Sequence, residues 1–244
     1  MIADNRQKTF SLTQKQVAQL CDRRFGIGAD GLMLLENHPE YDFKMVYYNA
    51  DGHESSMCGN GGRCLVAFAK RLGIIKEQAN FIAIDGAHRA TIVRNEQVEL
   101  GMRDVENILI TDENIVVLNT GSPHYVSFES DVKTLDVYEK GKSIRNSESY
   151  FKEGINVNFV VKKSDHLFVR TYERGVEDET LSCGTGVTAS AIASVGQRLG
   201  RFKIKVETLG GMLEIHFEKT TKNSAKNVLL CGPATFVFDG EIKC

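Results

Sequence analysis

The chain has 244 residues, of which 42% are apolar and 25% charged, and its formal net charge is -2. These are ordinary values for a soluble globular protein, and the lack of any long acidic or basic block argues against a nucleic-acid partner. No stretch approaches the roughly 20 apolar residues that span a bilayer, and no basic segment followed by an apolar one opens the chain, so no membrane association and a cytoplasmic location are expected. The length suits two lobes of about 110 to 120 residues, each large enough for its own core. Six cysteines scattered over such a chain are expected to be reduced thiols, and so candidates for chemistry.

In chain order, the first predicted element is a helix. Thr13 supplies its cap, Gln16 completes a capping box, Leu12 can staple onto Val17, and the run ends near Asp22. Next come a glycine-rich segment from Phe25 to Gly31, an apolar run from Leu32 to Leu35, and a strand from Asp42 to Tyr48 that ends in the turn sequence Asn49-Ala50-Asp51-Gly52. The letters Gly26-x-Gly28-x-x-Gly31 match a dinucleotide fingerprint. Their context does not, because they follow a helix and open a strand-like run.

From here two stretches match each other in order of elements. The strand Asp42 to Tyr48 leads through a polar loop to Cys58-Gly59-Asn60-Gly61 and a helical run from Cys64 to Leu72. The strand Leu167 to Tyr172 leads through a loop to Cys183-Gly184-Thr185-Gly186 and a helical run from Val187 to Leu199. Both helices precede a pair of short strands, Phe81 to Ile84 with Ala90 to Val93, and Lys203 to Val206 with Met212 to Phe217. Such a duplication predicts two lobes linked near Asp104 to Asn114.

A helix start offers unpaired N–H groups and partial positive charge, which favour a thiolate. Glycines after the cysteine let those N–H groups approach a bound anion such as an α-carboxylate. A pair of equivalent thiols is what exchange of a proton at a stereocentre requires, one as base and one as acid. The bland reading of either cysteine alone is a small buried apolar residue. The matched pair favours chemistry.

The stretches Asn49 to Gly52, Met57-Cys58-Gly59-Asn60-Gly61-Gly62-Arg63-Cys64, Gly121-Ser122-Pro123-His124, Asn156-Val157-Asn158-Phe159 and Tyr172 to Gly175 resemble those of diaminopimelate epimerases. Glu179 to Gly186, Gly232-Pro233-Ala234 and Asp239-Gly240 extend the resemblance over almost the whole chain. It implies conversion of LL-diaminopimelate to meso-diaminopimelate without pyridoxal phosphate or any other cofactor, within lysine biosynthesis. It implies Cys58 and Cys183 as acid/base thiols, with His124 and Glu173 assisting them. Gly59, Asn60, Gly184 and Thr185 match positions that hold the α-carboxylate, and Asn49, Asn156, Glu173 and Arg174 match further substrate contacts. The implied fold is α+β, with two pseudo-symmetric lobes, each a curved, mostly antiparallel sheet around a central helix, and an active cleft between them. The expected division is 1–105 plus 233–244 for the lobe carrying Cys58, and 106–232 for the lobe carrying Cys183. The partner is a small-molecule substrate, and a homodimer is among the assemblies this allows.

Proline racemases share the two-cysteine logic, but there glycine and histidine usually follow the first cysteine, and here Gly59-Asn60 does. A redox protein that uses both cysteines, or a silent binding form, would also be compatible with these residues. The chain opens at a point that resembles the segment just after the family's first strand and Gly-x-Gly-Asn-Asp-Phe loop, so one strand and one substrate ligand are expected to be missing. Ser122 stands where the family often has asparagine. No metal ligands are assigned, since no His-x-x-x-His pair occurs and Cys58 and Cys64 do not share a helix face. His38, His53, His88, His166 and His216 are expected to be solvated or turn residues.

Overall fold

The computed structural model describes residues 1–55, 58–93 and 97–242, so Met57 and Cys244 lie outside the described residues. The chain forms two compact units, residues 1–100 with 233–244, and residues 101–232. No helix among the described residues is long and apolar enough to cross a membrane.

The first unit runs β1 (Ile2–Asp4), α1 (Gln14–Cys21), β2 (Gly31–Glu36), β3 (Phe43–Asn49), β4 (Glu54–Ser55), α2 (Gly59–Arg71), β5 (Gln78–Ala83), β6 (Gly86–Ile92) and β7 (Gln97–Gly101). Its strands lie in the order β1-β2-β3-β5-β6-β7, with β4 paired to β3. Pairing is parallel between β1 and β2 and between β3 and β5, and antiparallel elsewhere in this series. Helix α1 carries the capping box expected from Thr13 and Gln16. It buries Val17 and Cys21 against Leu32, Leu34 and Val46, with Leu12 packed at the staple position. The glycine-rich loop follows α1 and leads into β2, the reverse of a dinucleotide-binding turn.

The second unit runs β8 (Leu109–Asp112), β9 (Ile115–Asn119), β10 (Pro123–Phe128), α3 (Val137–Arg145), β11 (Asn156–Lys162), β12 (Leu167–Glu173), β13 (Asp178–Thr180), α4 (Gly184–Ser194), β14 (Gly200–Thr208), β15 (Gly211–Thr221) and β16 (Ser224–Pro233). Its order is β8-β9-β10-β11-β12-β14-β15-β16, with β13 on β12. From β10 onward this unit repeats the first element by element. Strands β10 and β11 are parallel like β1 and β2, and β12 and β14 are parallel like β3 and β5. The duplication therefore extends beyond the stretch legible in sequence, adding two strands with a helix between them in front and a strand behind. The segment expected to link the lobes holds strand β8, which pairs with β9.

Each sheet packs on the helix that begins after a cysteine. Helix α4 contacts β9, β10, β11, β12, β14 and β15, and its Val187, Ala191 and Ile192 are fully buried in a cluster with Val126, Val160, Val206 and Ile215. Burying a Val or Ile side chain contributes about 1.5–3 kcal/mol. The hydroxyls of Thr188 and Ser190 are buried too, and they donate to the carbonyls of Gly184 and Gly186 one turn back, which removes the cost of an unpaired polar group. At the far end of α4 the buried Lys219 ammonium donates to the Gly196 carbonyl at 2.6 Å, a cation where the helix dipole favours one. Helix α2 presents Leu65, Val66 and Ala69, all fully buried, and packs on β2 and β6.

Helix α3 is an addition to the predicted elements. Asp136 caps it by accepting from the Glu139 amide at 3.0 Å, and an Asp followed three residues later by Glu is a helix-start signal. His88 corrects the expectation of a solvated histidine. It lies buried in β6, with its ring stacked 5.2 Å from that of Phe81 and its Nε2 3.1 Å from Asp85.

Gly141, in the middle of α3, lies so close to the Tyr172 ring that a Cβ would overlap it. Helix propensity alone says that Gly141→Ala stabilises by about 1 kcal/mol. Overpacking against a buried ring costs about 1–3 kcal/mol, so we expect a net loss of stability, read as a lower urea midpoint. A raised midpoint would contradict this packing.

Candidate active site

In both units a cysteine occupies the N-cap of the packed helix. Cys58 has φ -91° and ψ 125°, and Cys183 has φ -106° and ψ 112°, both extended conformations. The Cys58 carbonyl accepts the first helical hydrogen bond from Gly62 at 2.7 Å, and that of Cys183 from Val187 at 2.8 Å. The N–H groups of the three residues between carbonyl and donor therefore have no acceptor within the helix. These residues are Gly59, Asn60 and Gly61 in one case, and Gly184, Thr185 and Gly186 in the other. Their N–H groups converge at the positive end of the helix dipole, where an anion is favoured.

The second glycine of each motif lies directly on the residue beneath it, which a side chain there would displace. A Cβ on Gly61 would stand 2.7 Å from the Met33 sulfur and 3.6 Å from the Cys58 Cβ. One on Gly186 would overlap Asn158 Oδ1 and stand 3.3 Å from the Cys183 Cβ. Met33 on β2 and Asn158 on β11 thus form the floor under equivalent turns. Register bears out the equivalence, since Met33 pairs with Tyr47 on β3 and Asn158 with Thr171 on β12. Two residues further along these strands come Asn49 and Glu173, the last residues of β3 and β12.

In the first unit, Asn60 accepts from the buried Arg63 guanidinium at 3.0 Å, and Arg63 also donates to the Gly59 carbonyl at 3.3 Å. One cation thus steadies the residues just after Cys58. Asn49 opens a turn in which its amide N–H donates to the His53 carbonyl and its carbonyl accepts from Gly52, both at 2.9 Å.

The second unit brings more of the predicted residues together. Asn156 donates to Ser122 Oγ at 2.8 Å and to the Pro123 carbonyl at 3.0 Å, and accepts from the Arg174 amide at 2.9 Å. The Arg174 guanidinium reaches Ser122 Oγ at 3.4 Å and the Glu153 carbonyl at 2.8 Å. Ser122 thereby accepts from both neighbours and keeps its own hydroxyl proton to donate. Glu173 accepts from the Thr180 hydroxyl at 2.9 Å, across the β12 and β13 pair. Cys183 Sγ lies 3.4 Å from Thr185 Oγ1, and the Thr185 carbonyl accepts from Thr120 at 2.9 Å, which ties the start of α4 to the loop after β9.

His124 is fully buried at the start of β10. Burial, aided by the positive charge of Arg174, pushes its imidazole down from 6.5 to about 3, so the ring is neutral at physiological pH. Sequence reasoning missed Asn158, Thr171, Thr120 and Thr180, which hold these groups in place. The alternation Asn156-Val157-Asn158 in a strand was the available signal, because residues two apart share a face.

The family model for diaminopimelate epimerase matches residues 1–106 and 116–237. Diaminopimelate epimerase from Flavobacterium psychrophilum is 54% identical over 246 residues, covering 99% of the chain and 95% of the relative. That from Chlorobaculum tepidum is 41% identical over 254 residues, covering 99% and 96%. A PhzF-family phenazine biosynthesis protein from Bacillus anthracis matches with a TM-score of 0.69 at 16% identity, over 95% of the chain and 89% of that structure. A hydroxyproline epimerase from Agrobacterium vitis, with trans-4-hydroxy-L-proline bound, matches with a TM-score of 0.63 at 14% identity, over 88% and 76%. The two structural likenesses bear on the fold alone.

The low value at His124 has a consequence for stability. Between pH about 6.5 and about 3 the unfolded chain holds a proton on this residue that the folded chain does not. Stability should therefore fall as pH drops through that window, by up to about 1.4 kcal/mol per pH unit from this group. Urea melts across the window should show a shallower acid-side decline in His124→Gln than in the unsubstituted protein. Equal slopes would contradict the buried neutral ring.

Proposed function

Since the chain belongs to the diaminopimelate epimerase family, we propose that Cys58 and Cys183 are the two acid/base thiols of a cofactor-independent epimerase that interconverts LL- and meso-diaminopimelate. The observation that carries this reading is the duplicated N-cap cysteine, each followed by Gly-x-Gly. One sulfur, as thiolate, takes the α-hydrogen as a proton and leaves the C–H electron pair on carbon. The other, as thiol, delivers its own proton to the opposite face, which inverts the centre and leaves the two sulfurs with exchanged protonation states. The reverse reaction needs no resetting, because the product state of the pair is the reactant state for the other isomer.

The chemistry of the substrate assigns the remaining roles. The helix-start N–H groups of Gly59, Asn60, Gly184 and Thr185 suit the α-carboxylate, which acquires further negative charge as the carbanion forms. Arg174 and the amides of Asn49 and Asn156 suit the polar groups of the substrate's second amino-acid end. Glu173, held by Thr180, assists a thiol in proton transfer. A cytoplasmic location accords with chemistry that needs both cysteines reduced.

The test is to incubate the protein with LL-diaminopimelate and resolve the stereoisomers by chromatography. We expect meso-diaminopimelate to accumulate, and Cys58→Ala and Cys183→Ala each to lower kcat by about 10²- to 10⁴-fold. Conversion that survives either substitution would remove that cysteine from the mechanism. Proline turned over in place of diaminopimelate would favour a proline racemase.

A further inference from the structure

His124 Nε2 is buried and has no hydrogen-bond partner among the described residues. Its other ring nitrogen is well held, since Nδ1 lies 3.1 Å from the Asn158 side-chain nitrogen. That nitrogen is also 3.0 Å from the Tyr125 carbonyl oxygen. A carbonyl oxygen only accepts, so the NH₂ end of the Asn158 amide must be the end that faces it. At the other end, the Thr171 hydroxyl, which can donate or accept, takes the donor role that this orientation leaves to it and gives its proton to Asn158 Oδ1 at 3.0 Å. The two amide hydrogens then go one to the Tyr125 carbonyl and one to His124 Nδ1. With Nδ1 an acceptor, the single proton of a neutral imidazole must sit on Nε2.

All three side chains of this relay, Thr171, Asn158 and His124, are buried, so each link is shielded from bulk solvent. An imidazolium would turn an N–H at Nδ1 against the NH₂ of Asn158. Asn158 is also the residue over which the first turn of α4 closes, since Gly186 leaves no room for a Cβ above its Oδ1. One amide therefore orients the histidine and supports the turn that carries Cys183.

We propose that Asn158 is a positioning residue that locks His124 with its proton on Nε2, so that His124 serves the reaction as a neutral hydrogen-bond donor to an anionic group and not as a base. The donor role rests on the epimerase reading, whereas the tautomer does not. The distinction has mechanistic weight. A base at this position would draw a proton off its partner, whereas an N–H donor stabilises negative charge without taking up the proton that has to be passed on.

The test uses the full-length protein labelled with ¹⁵N in its histidines. Long-range proton–nitrogen correlation spectra should show His124 protonated at Nε2 and bare at Nδ1 throughout pH about 6 to 8. In Asn158→Ala the proton should redistribute between both nitrogens, with kcat lowered about tenfold and KM little changed. Should that variant fail to fold, the donor role is still read by replacing the ring. His124→Gln keeps an N–H donor and should retain at least about tenfold more kcat than His124→Leu. A proton on Nδ1, an imidazolium signal in that pH range, or equal losses in the Gln and Leu variants would overturn the proposal. A ring protonated at Nε2 in a protein that never converts diaminopimelate would defeat the epimerase reading and leave the tautomer standing. A converting enzyme with its proton on Nδ1 would do the reverse.

Discussion

The structure depends on one close approach, made once in each unit: a helix starts on a cysteine and its first turn lies flat on the strand below. Glycine at the third helical residue leaves room for it, since a Cβ there would displace Met33 under Gly61 and Asn158 under Gly186. The turn so placed opens on its early N–H groups, which follow directly on the cysteine in the chain. The same contact that packs the helix therefore shapes the group it carries. This is why the cysteine, the glycines and the buried helix behave as one unit of sequence.

The two units use that device with different supports. In the first, a thioether lies beneath the turn, and the buried Arg63 binds the residues just after the cysteine. In the second, the floor is a polar amide within a buried network that runs through Thr171 and His124. Helix α4 itself is buried on nearly every side, with its hydroxyls turned back on its own carbonyls and Lys219 at its far end. A helix so enclosed cannot shift without disturbing the whole core, so the position of Cys183 is set by packing rather than by a loop. A rigid mount of this kind suits a group that must meet a carbon atom within hydrogen-bonding range.

Much of this is legible in the sequence because it is local. The capping box at Thr13 and Gln16, the Cys-Gly-x-Gly helix starts and the order of elements around them are short-range patterns, and the structure reproduces them. The features that escape a sequence reading are long-range or depend on burial. Parallel pairing of β1 with β2 and of β12 with β14 joins strands through intervening helices, and no local periodicity encodes it. Helix α3 is hidden because its exposed face is charged and its buried contribution is small, chiefly Val137 and Gly141. His88 reads like any surface histidine until Phe81 and Asp85 are seen beside it. Asn158 lies within the motif Asn156 to Phe159, but its role emerges only with the carbonyl of Tyr125, the ring of His124, the hydroxyl of Thr171 and Gly186 around it.

The central claim is that two thiols, not one, handle the migrating proton, and isotope content tests this most directly. Either isomer of diaminopimelate is allowed to react in heavy water for a small fraction of one conversion, and product and residual substrate are then separated and weighed by mass spectrometry. Two thiols predict that newly formed product carries deuterium at the inverted carbon while unreacted substrate does not, from both starting isomers. Product that retains the original hydrogen would mean that a single group carries it from one face to the other, and would contradict the account.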